Sequence, residues 1–246
     1  LDDINNKKLI KKIKIKNFFT YGVKSGSNFQ IKNIKYKQNS SNFDVLVKLP
    51  GRRELHIKNF VIPLLGLHNI RNATAAIAVT LIIGISTKTI KKGLSQFKGV
   101  QRRFNKIFNY RDIEFYDDYA HHPSEIKEVL SGVKKAYKNE KIVCVFQPHR
   151  ISRLKDLRKE FSRSFKKADD VILCPLYTAG ERINLGFKYK DFAYEISQNS
   201  NVNLFMVQDE KNLAKFIKNN IYGKKIVIGM GAGTISNWMR NLPNLL

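Results

Sequence analysis

The sequence predicts an α/β protein, with a β-rich part over residues 1–98 and, over 99–246, a mostly parallel sheet wound on both faces by helices. Three observations predict it. Ahead of Pro63, apolar residues recur at every second position between Gly, Asn and Ser clusters. After Gly99, short Val/Ile/Phe runs alternate with amphipathic stretches of helix length. Acids, histidines, arginines and glycines then gather just past the ends of those runs.

The first part opens on polar, helix-like sequence. KIKIKNFFTYG (12–22), NFQIKNIKYKQ (28–38), NFDVLVKLPG (42–51) and ELHIKNFVIP (54–63) follow, and their period-2 patterning predicts antiparallel strands joined as hairpins. NATAAIAVTLIIGIS (72–86) predicts a buried helix ending near Gly84, and TKTIKKGLSQF (87–97) a shorter one. The boundary between the two parts is expected near Phe97 to Val100.

From there strand and helix alternate. IEFYDD (113–118) leads to HHPSEIKEVLSGVKKAYK, KIVCVFQPHR (141–150) to LKDLRKEFSRSF, and DDVILCPLY (169–177) through the loop TAGERINLG to KDFAYEISQ. NVNLFMVQ (201–208) leads to KNLAKFIKNN, and KKIVIGMGAG (224–233) to TISNWMRNL. Such alternation implies βαβ units and a doubly wound sheet.

Composition narrows the class. Lys and Arg number 45 against 20 acids, a formal charge of +25. The lysines are spread over every element beside many Asn and Ile, which fits a solvated basic surface without a specific nucleic-acid partner. A basic nucleic-acid-binding protein on a similar scaffold is the rival reading, and it requires a contiguous Lys/Arg face with interleaved aromatics. Cys144 and Cys174 each lie in an apolar run, as buried thiols of a reducing compartment do. The longest apolar stretch, around Ala73 to Ile85, is too short to span a bilayer, and no signal peptide opens the chain. A cytoplasmic location with no membrane insertion is expected.

Open parallel sheets bind ligands beyond the carboxyl ends of their strands. Those positions hold DDYAHHP, QPHR, TAGER and GMGAG. Pro123 suits a first helical turn and drives His122 extended, while Ser124 and Glu125 complement the helix dipole. A helix start does not explain Asp117, Asp118, Tyr119 and His121, whose clustering points to a site. His149, Arg150 and Arg153 follow the next strand, and two forked guanidinium groups three apart can share a face and grip a carboxylate or phosphate. Arg102 and Arg103 stand at the junction of the two parts. GMGAG lacks G-x-G-x-x-G spacing and reads as a place where the last helix packs close to the sheet. Asn69 and Asn72, beside His68, share a helix face, and one is expected to cap the helix.

GLHNIRNATAAIAV, GVQRRF, DDYAHHPSEI, VFQPHRISR, YTAGE and GAGTI, in this order and spacing, resemble the Mur ligase family from about Thr20 to Asn241. FQPHR with DDYAHHP resembles the members that add L-alanine. The resemblance implies the end of a central ATPase domain followed by a Rossmann-like C-terminal domain. It implies ATP-dependent joining of L-alanine to UDP-N-acetylmuramate through an acyl phosphate, in cell-wall peptidoglycan synthesis. By the same resemblance His68, Asn69 and Asn72 would meet the adenine side of ATP, and Arg103, Asp118 and Tyr119 its ribose and phosphates. His121, His149, Arg150 and Arg153 would receive the alanine and the muramoyl carboxylate. The chain opens on Leu1 and contains no G-x-x-x-x-G-K-[ST] loop. The resemblance puts that loop and the Mg²⁺ ligands ahead of Leu1, so no metal ligand is assigned here. The expectation is a fragment that does not turn over ATP alone, or a non-catalytic truncated relic.

Overall fold

A computed structural model describes residues 2–12, 18–97, 99–182 and 187–246. It divides into two compact units, Leu1–Gly99 and Val100–Leu246.

In the first unit α1 (Ile4–Lys12) precedes β1 (Tyr21–Gly22), β2 (Phe29–Lys37), β3 (Ser40–Val47), β4 (Leu55–Ile62), α2 (Leu67–Ile82) and α3 (Thr87–Gln96). The strands lie in chain order in one sheet. β2, β3 and β4 form the expected antiparallel meander. β1 does not: it runs parallel to β2, because Asn28 and Thr20 bond to each other and close a wide loop where a hairpin was expected. Part of the strand expected over 12–22, residues 13–17, lies outside the described residues. Alternation places Phe29, Ile31, Phe43, Val45, Ile57 and Phe60 on one sheet face, where they pack on Ile70 and Ile77 of α2 and Ile90 of α3. β2 and β4 bulge at Asn33 and Asn59, both left-handed, and buried Asp44 between them accepts from the Asn33 amide (2.7 Å) and Asn59 N–H (2.8 Å).

α2 begins earlier than its apolar run suggests. Gly66 is its N-cap, with no side-chain capping bond, so Asn69 and Asn72 lie inside the helix and neither caps it.

The second unit contains β5 (Asn105–Tyr110), β6 (Ile113–Asp118), α4 (Pro123–Ala136), β7 (Lys141–Phe146), α5 (Ile151–Asp156), α6 (Arg158–Ser162) and β8 (Asp170–Leu173). α7 (Tyr189–Ser200), β9 (Asn203–Met206), α8 (Glu210–Asn220), β10 (Lys225–Met230) and α9 (Ile235–Asn241) follow. The sheet order is β5-β6-β10-β7-β8-β9. β6 to β10 are mutually parallel, and β5 pairs antiparallel with β6 at the edge.

β5 was not expected. Its asparagines weaken the strand pattern, and its tight turn through left-handed Arg111 lacks the Asn-Gly or Asp-Gly signature of a hairpin. Tertiary stacking makes the strand: Phe108 lies on Phe115 at 4.2 Å, and Phe104, just ahead of it, on Tyr116 at 4.1 Å. The helix expected over 154–165 is two helices broken at Leu157, where Arg158 turns to fork onto Glu195 of α7 at 2.8 and 2.9 Å.

The central strands are buried on both faces, which explains their plain Val, Ile and Phe content. Cys144 in β7 and Cys174 after β8 are buried free thiols, and burial pushes both well above the usual thiol range. No helix among the described residues is long and apolar enough to cross a membrane.

Candidate functional site

Pro123 opens α4, and it holds His122 extended (φ −111°, ψ 145°) as the N-cap. The His122 ring accepts Ser124 N–H, while Glu125 reaches back to accept both His122 N–H (3.2 Å) and His121 N–H (3.0 Å). The HPSE segment is therefore a capping box, and it also anchors the residue ahead of it. His121 Nδ1 faces Tyr119 O at 2.9 Å. That carbonyl can only accept, so the ring proton sits on Nδ1 and Nε2 is the lone-pair nitrogen of the neutral form.

His149 comes from the tip of β7, two strand positions away, yet its ring centroid lies 5.9 Å from that of His121. Tyr119 meets His121 edge-on at 5.0 Å, and Tyr177, beyond β8, stacks on His149 at 5.4 Å. Four rings from three strand ends thus form a row along one rim of the sheet. Arg102 and Arg103 stand over Tyr119 at 4.7 and 5.9 Å. Arg153 Nη1 reaches His149 Nδ1 at 3.4 Å. A guanidinium only donates, which makes Nδ1 the acceptor and puts the neutral ring's proton on Nε2. Burial, then the neighbouring basic groups of Arg153, His121 and Arg150, hold His149 below the usual imidazole range. The rim is a field of fixed positive charge with a neutral imidazole inside it, which suits a carboxylate or phosphate.

The two acids at the tip of β6 face inward. Asp118 is 2% exposed and accepts Phe104 N–H (2.8 Å) and Ala120 N–H (2.7 Å), so its oxygens bind the loops on either side. Burial raises its carboxyl to about 7 against the opposing pull of those bonds and of Arg103. Asp117, on the other sheet face, accepts from Ser236 Oγ at 2.5 Å and lies 3.8 Å from Arg240, which ties α9 to β6.

Arg102 is left-handed (φ 60°) and donates to Gly231 O at 2.6 Å. It latches the loop before β5 onto the loop after β10. Arg150 is the N-cap of α5 at φ 68°, outside helical geometry, so the three-residue spacing to Arg153 does not put the two on one helix face as expected. The glycine loop serves packing. A Cβ at Gly229 would sit 2.3 Å from Met239 Cγ of α9, and one at Gly233 2.5 Å from Gln147 Oε1 and 2.6 Å from Tyr177 Cγ. Gln147 fills the loop, accepting Ile235 N–H and donating to Thr234 Oγ1, both at 3.0 Å.

In the first unit, buried Asn69 turns its amide onto Leu65 O at 2.7 Å, Asn72 is exposed and His68 is half-buried. The three-residue spacing does not give the two asparagines one environment.

Sequence reasoning passed over Tyr177, Glu181 and Gln147. TAGER and QPHR marked their loops as strand ends, but nothing local says that Tyr177 covers His149.

The profile of the Mur ligase middle domain matches residues 1–80, and that of the Mur ligase glutamate ligase domain matches residues 102–233. The UDP-N-acetylmuramate–L-alanine ligase of Pelagibacter ubique is 66% identical over the whole chain, which covers 53% of that protein. The Bartonella tribocorum protein of the same name is 36% identical over 92% of the chain, covering 48% of its own length. The chain therefore spans about half the length of the curated relatives it matches. A crystal structure of the Thermotoga maritima UDP-N-acetylmuramate–alanine ligase MurC superposes with a TM-score of 0.72 at 26% identity, over 92% of this chain and 47% of that one. MurF from Acinetobacter baumannii, at 21% identity and a TM-score of 0.68 over 98% of this chain and 49% of its own, shares the fold. Two domains of one family match the two units in turn, and the charged rim lies in the part matched by the second: the chain belongs to the Mur ligase family.

Proposed function

We propose that this chain forms the middle and C-terminal portion, divided near residue 98, of a cytoplasmic ligase that joins L-alanine to UDP-N-acetylmuramate in peptidoglycan synthesis. The observation that carries the reading is the rim of the second unit, where His121 and His149 meet at 5.9 Å with Arg153 on His149 and Arg150 next to it in the chain. The reaction joins a carboxylate to an amine, and fixed donors at a rim stabilise the charge that develops. His149, neutral near pH 7, can take a proton without first losing one. His121 presents Nε2 as a lone pair in its neutral form, which suits the approach of an ammonium or amine.

ATP, when bound, supplies the phosphoryl group that activates the carboxylate. Arg103, above Tyr119, is the cation that fits its ribose and phosphates, since Arg102 is occupied by Gly231 O. Asp118 serves by holding Phe104 and Ala120, and hence Arg103 and Tyr119 beside them. Exposed Asn72 and half-buried His68 are the α2 residues suited to the adenine side, with Asn69 bracing them through Leu65. Among the described residues no three His, Cys, Asp or Glu side chains converge, so no residue of this chain is assigned as a Mg²⁺ ligand and no step is routed through the metal.

The test is a hybrid in which this chain replaces the matching half of the Pelagibacter ubique ligase. Phosphate release should require ATP, UDP-N-acetylmuramate and L-alanine together. His149→Ala and Arg150→Ala should each lower it by about 100-fold, the scale of a misplaced reacting group. A folded hybrid indifferent to both substitutions refutes the assignment.

A further inference from the structure

The turn Tyr177–Glu181 is tied at both ends to the strand-end segment Gln147–Ser152. At one end Tyr177 N–H donates to Pro148 O and Arg150 N–H to Tyr177 O, each at 2.9 Å, and the Tyr177 ring lies on His149. At the other, Glu181 Oε2 accepts Ser152 N–H at 3.0 Å and Oε1 accepts the Ser152 hydroxyl at 2.6 Å. Left-handed Ala179 (φ 52°) and Gly180 (φ 85°) fold the turn back so that both ties can form. Arg150 sits between them at φ 68°, ψ 129°. A non-glycine residue keeps such a backbone only where its surroundings over-determine it. That backbone sets where the Arg150 side chain leaves the chain, and it sets the first turn of α5, which brings Arg153 to His149.

We propose that Glu181 is a positioning residue for the anion-holding rim: through Ser152 it locks Arg150 in its left-handed geometry and so places the Arg150 and Arg153 guanidinium groups around His149. The inference rests on the reading of that rim given above. Charge alone predicts the opposite sign. A carboxylate close enough to act on Arg150 and His149 repels an incoming anion, so its removal would strengthen anion binding.

The two are separated by titrating the chain with inorganic pyrophosphate while following histidine and arginine side-chain NMR signals. Glu181→Ala removes both tie and charge, whereas Glu181→Gln removes the charge and keeps an oxygen for Ser152 N–H. Positioning predicts binding about tenfold weaker for the alanine variant, within the range for a small displacement of a binding group. The glutamine variant should stay near wild type, and Ser152→Ala, which loses one of the two bonds, should fall between. Alanine and glutamine variants that both bind as well as or better than wild type overturn the proposal. Without ligand, amide exchange at Arg150 should speed up in Glu181→Ala and hold in Glu181→Gln, and unchanged exchange in the alanine variant also overturns it. A wild-type chain blind to pyrophosphate would instead sink the anion-holding reading of the rim, and the exchange comparison would still decide the role of Glu181.

Discussion

Asp118→Asn tests which of two opposed forces governs the buried acid at the tip of β6. Its carboxyl is 2% exposed, and burial lifts it to about 7, while bonds from Phe104 and Ala120 N–H and the charge of Arg103 pull the other way. In the unfolded chain the same group titrates near 3.8. The folded state thus holds the proton more tightly, so this group's contribution to stability is full below about pH 4 and is lost as pH rises through about 7. Each tenfold difference in proton affinity is about 1.4 kcal/mol, which makes the whole change about 4 kcal/mol at most. Asparagine has the same shape and no charge. It can accept one of the two N–H bonds but turns its own NH₂ towards the other, a fixed loss of about 1–3 kcal/mol. Urea unfolding followed by Trp238, which packs against the core of the second unit, should find the variant less stable by that amount near pH 4. Towards pH 8 the gap should close or reverse. A gap that widens with rising pH would mean that the two N–H bonds and Arg103 outweigh burial, and the reasoning would be wrong.

Further outcomes follow from the same rim. Burial and the neighbouring basic groups hold His149 below 6.5, and a bound anion offsets the second of these, so affinity for sulfate should rise as pH falls below 6.5 and His149→Gln should flatten the dependence. Gly229→Ala drives a methyl group into Met239 and should cost about 1–3 kcal/mol in denaturant unfolding. A double-mutant cycle with Met239→Ala should shrink that loss, and an additive result would locate the strain elsewhere. Arg150→Gly relieves a left-handed backbone and should raise stability by about 1 kcal/mol while sulfate binding weakens, with calorimetry reading both.

Much of the rim was legible because its elements are local. Pro123 with Ser124 and Glu125 dictates an extended His122 and a helix behind it, and the apolar run 141–146 reads directly as a buried strand. What stayed hidden depends on distant partners. β5 exists through Phe108 on Phe115, and the turn at Tyr177 takes its shape from Pro148, Arg150 and Ser152 on another strand end. The asparagine spacing in α2 misled for a related reason. Three residues apart on a helix are neighbours, but Asn69 is buried with its amide on Leu65 O and Asn72 lies in water.

The place of β10 has a consequence for how the protein is made. His121 and His149 each follow the tip of a strand, but β10, which belongs between β6 and β7, is made after both. Until it arrives, β6 and β7 have no bond to one another and each offers an open edge to any passing strand. A message cut short before Lys225 would therefore yield two half-sheets prone to stick to their neighbours, not a slightly smaller sheet. The histidines become a pair only once β10 is in place.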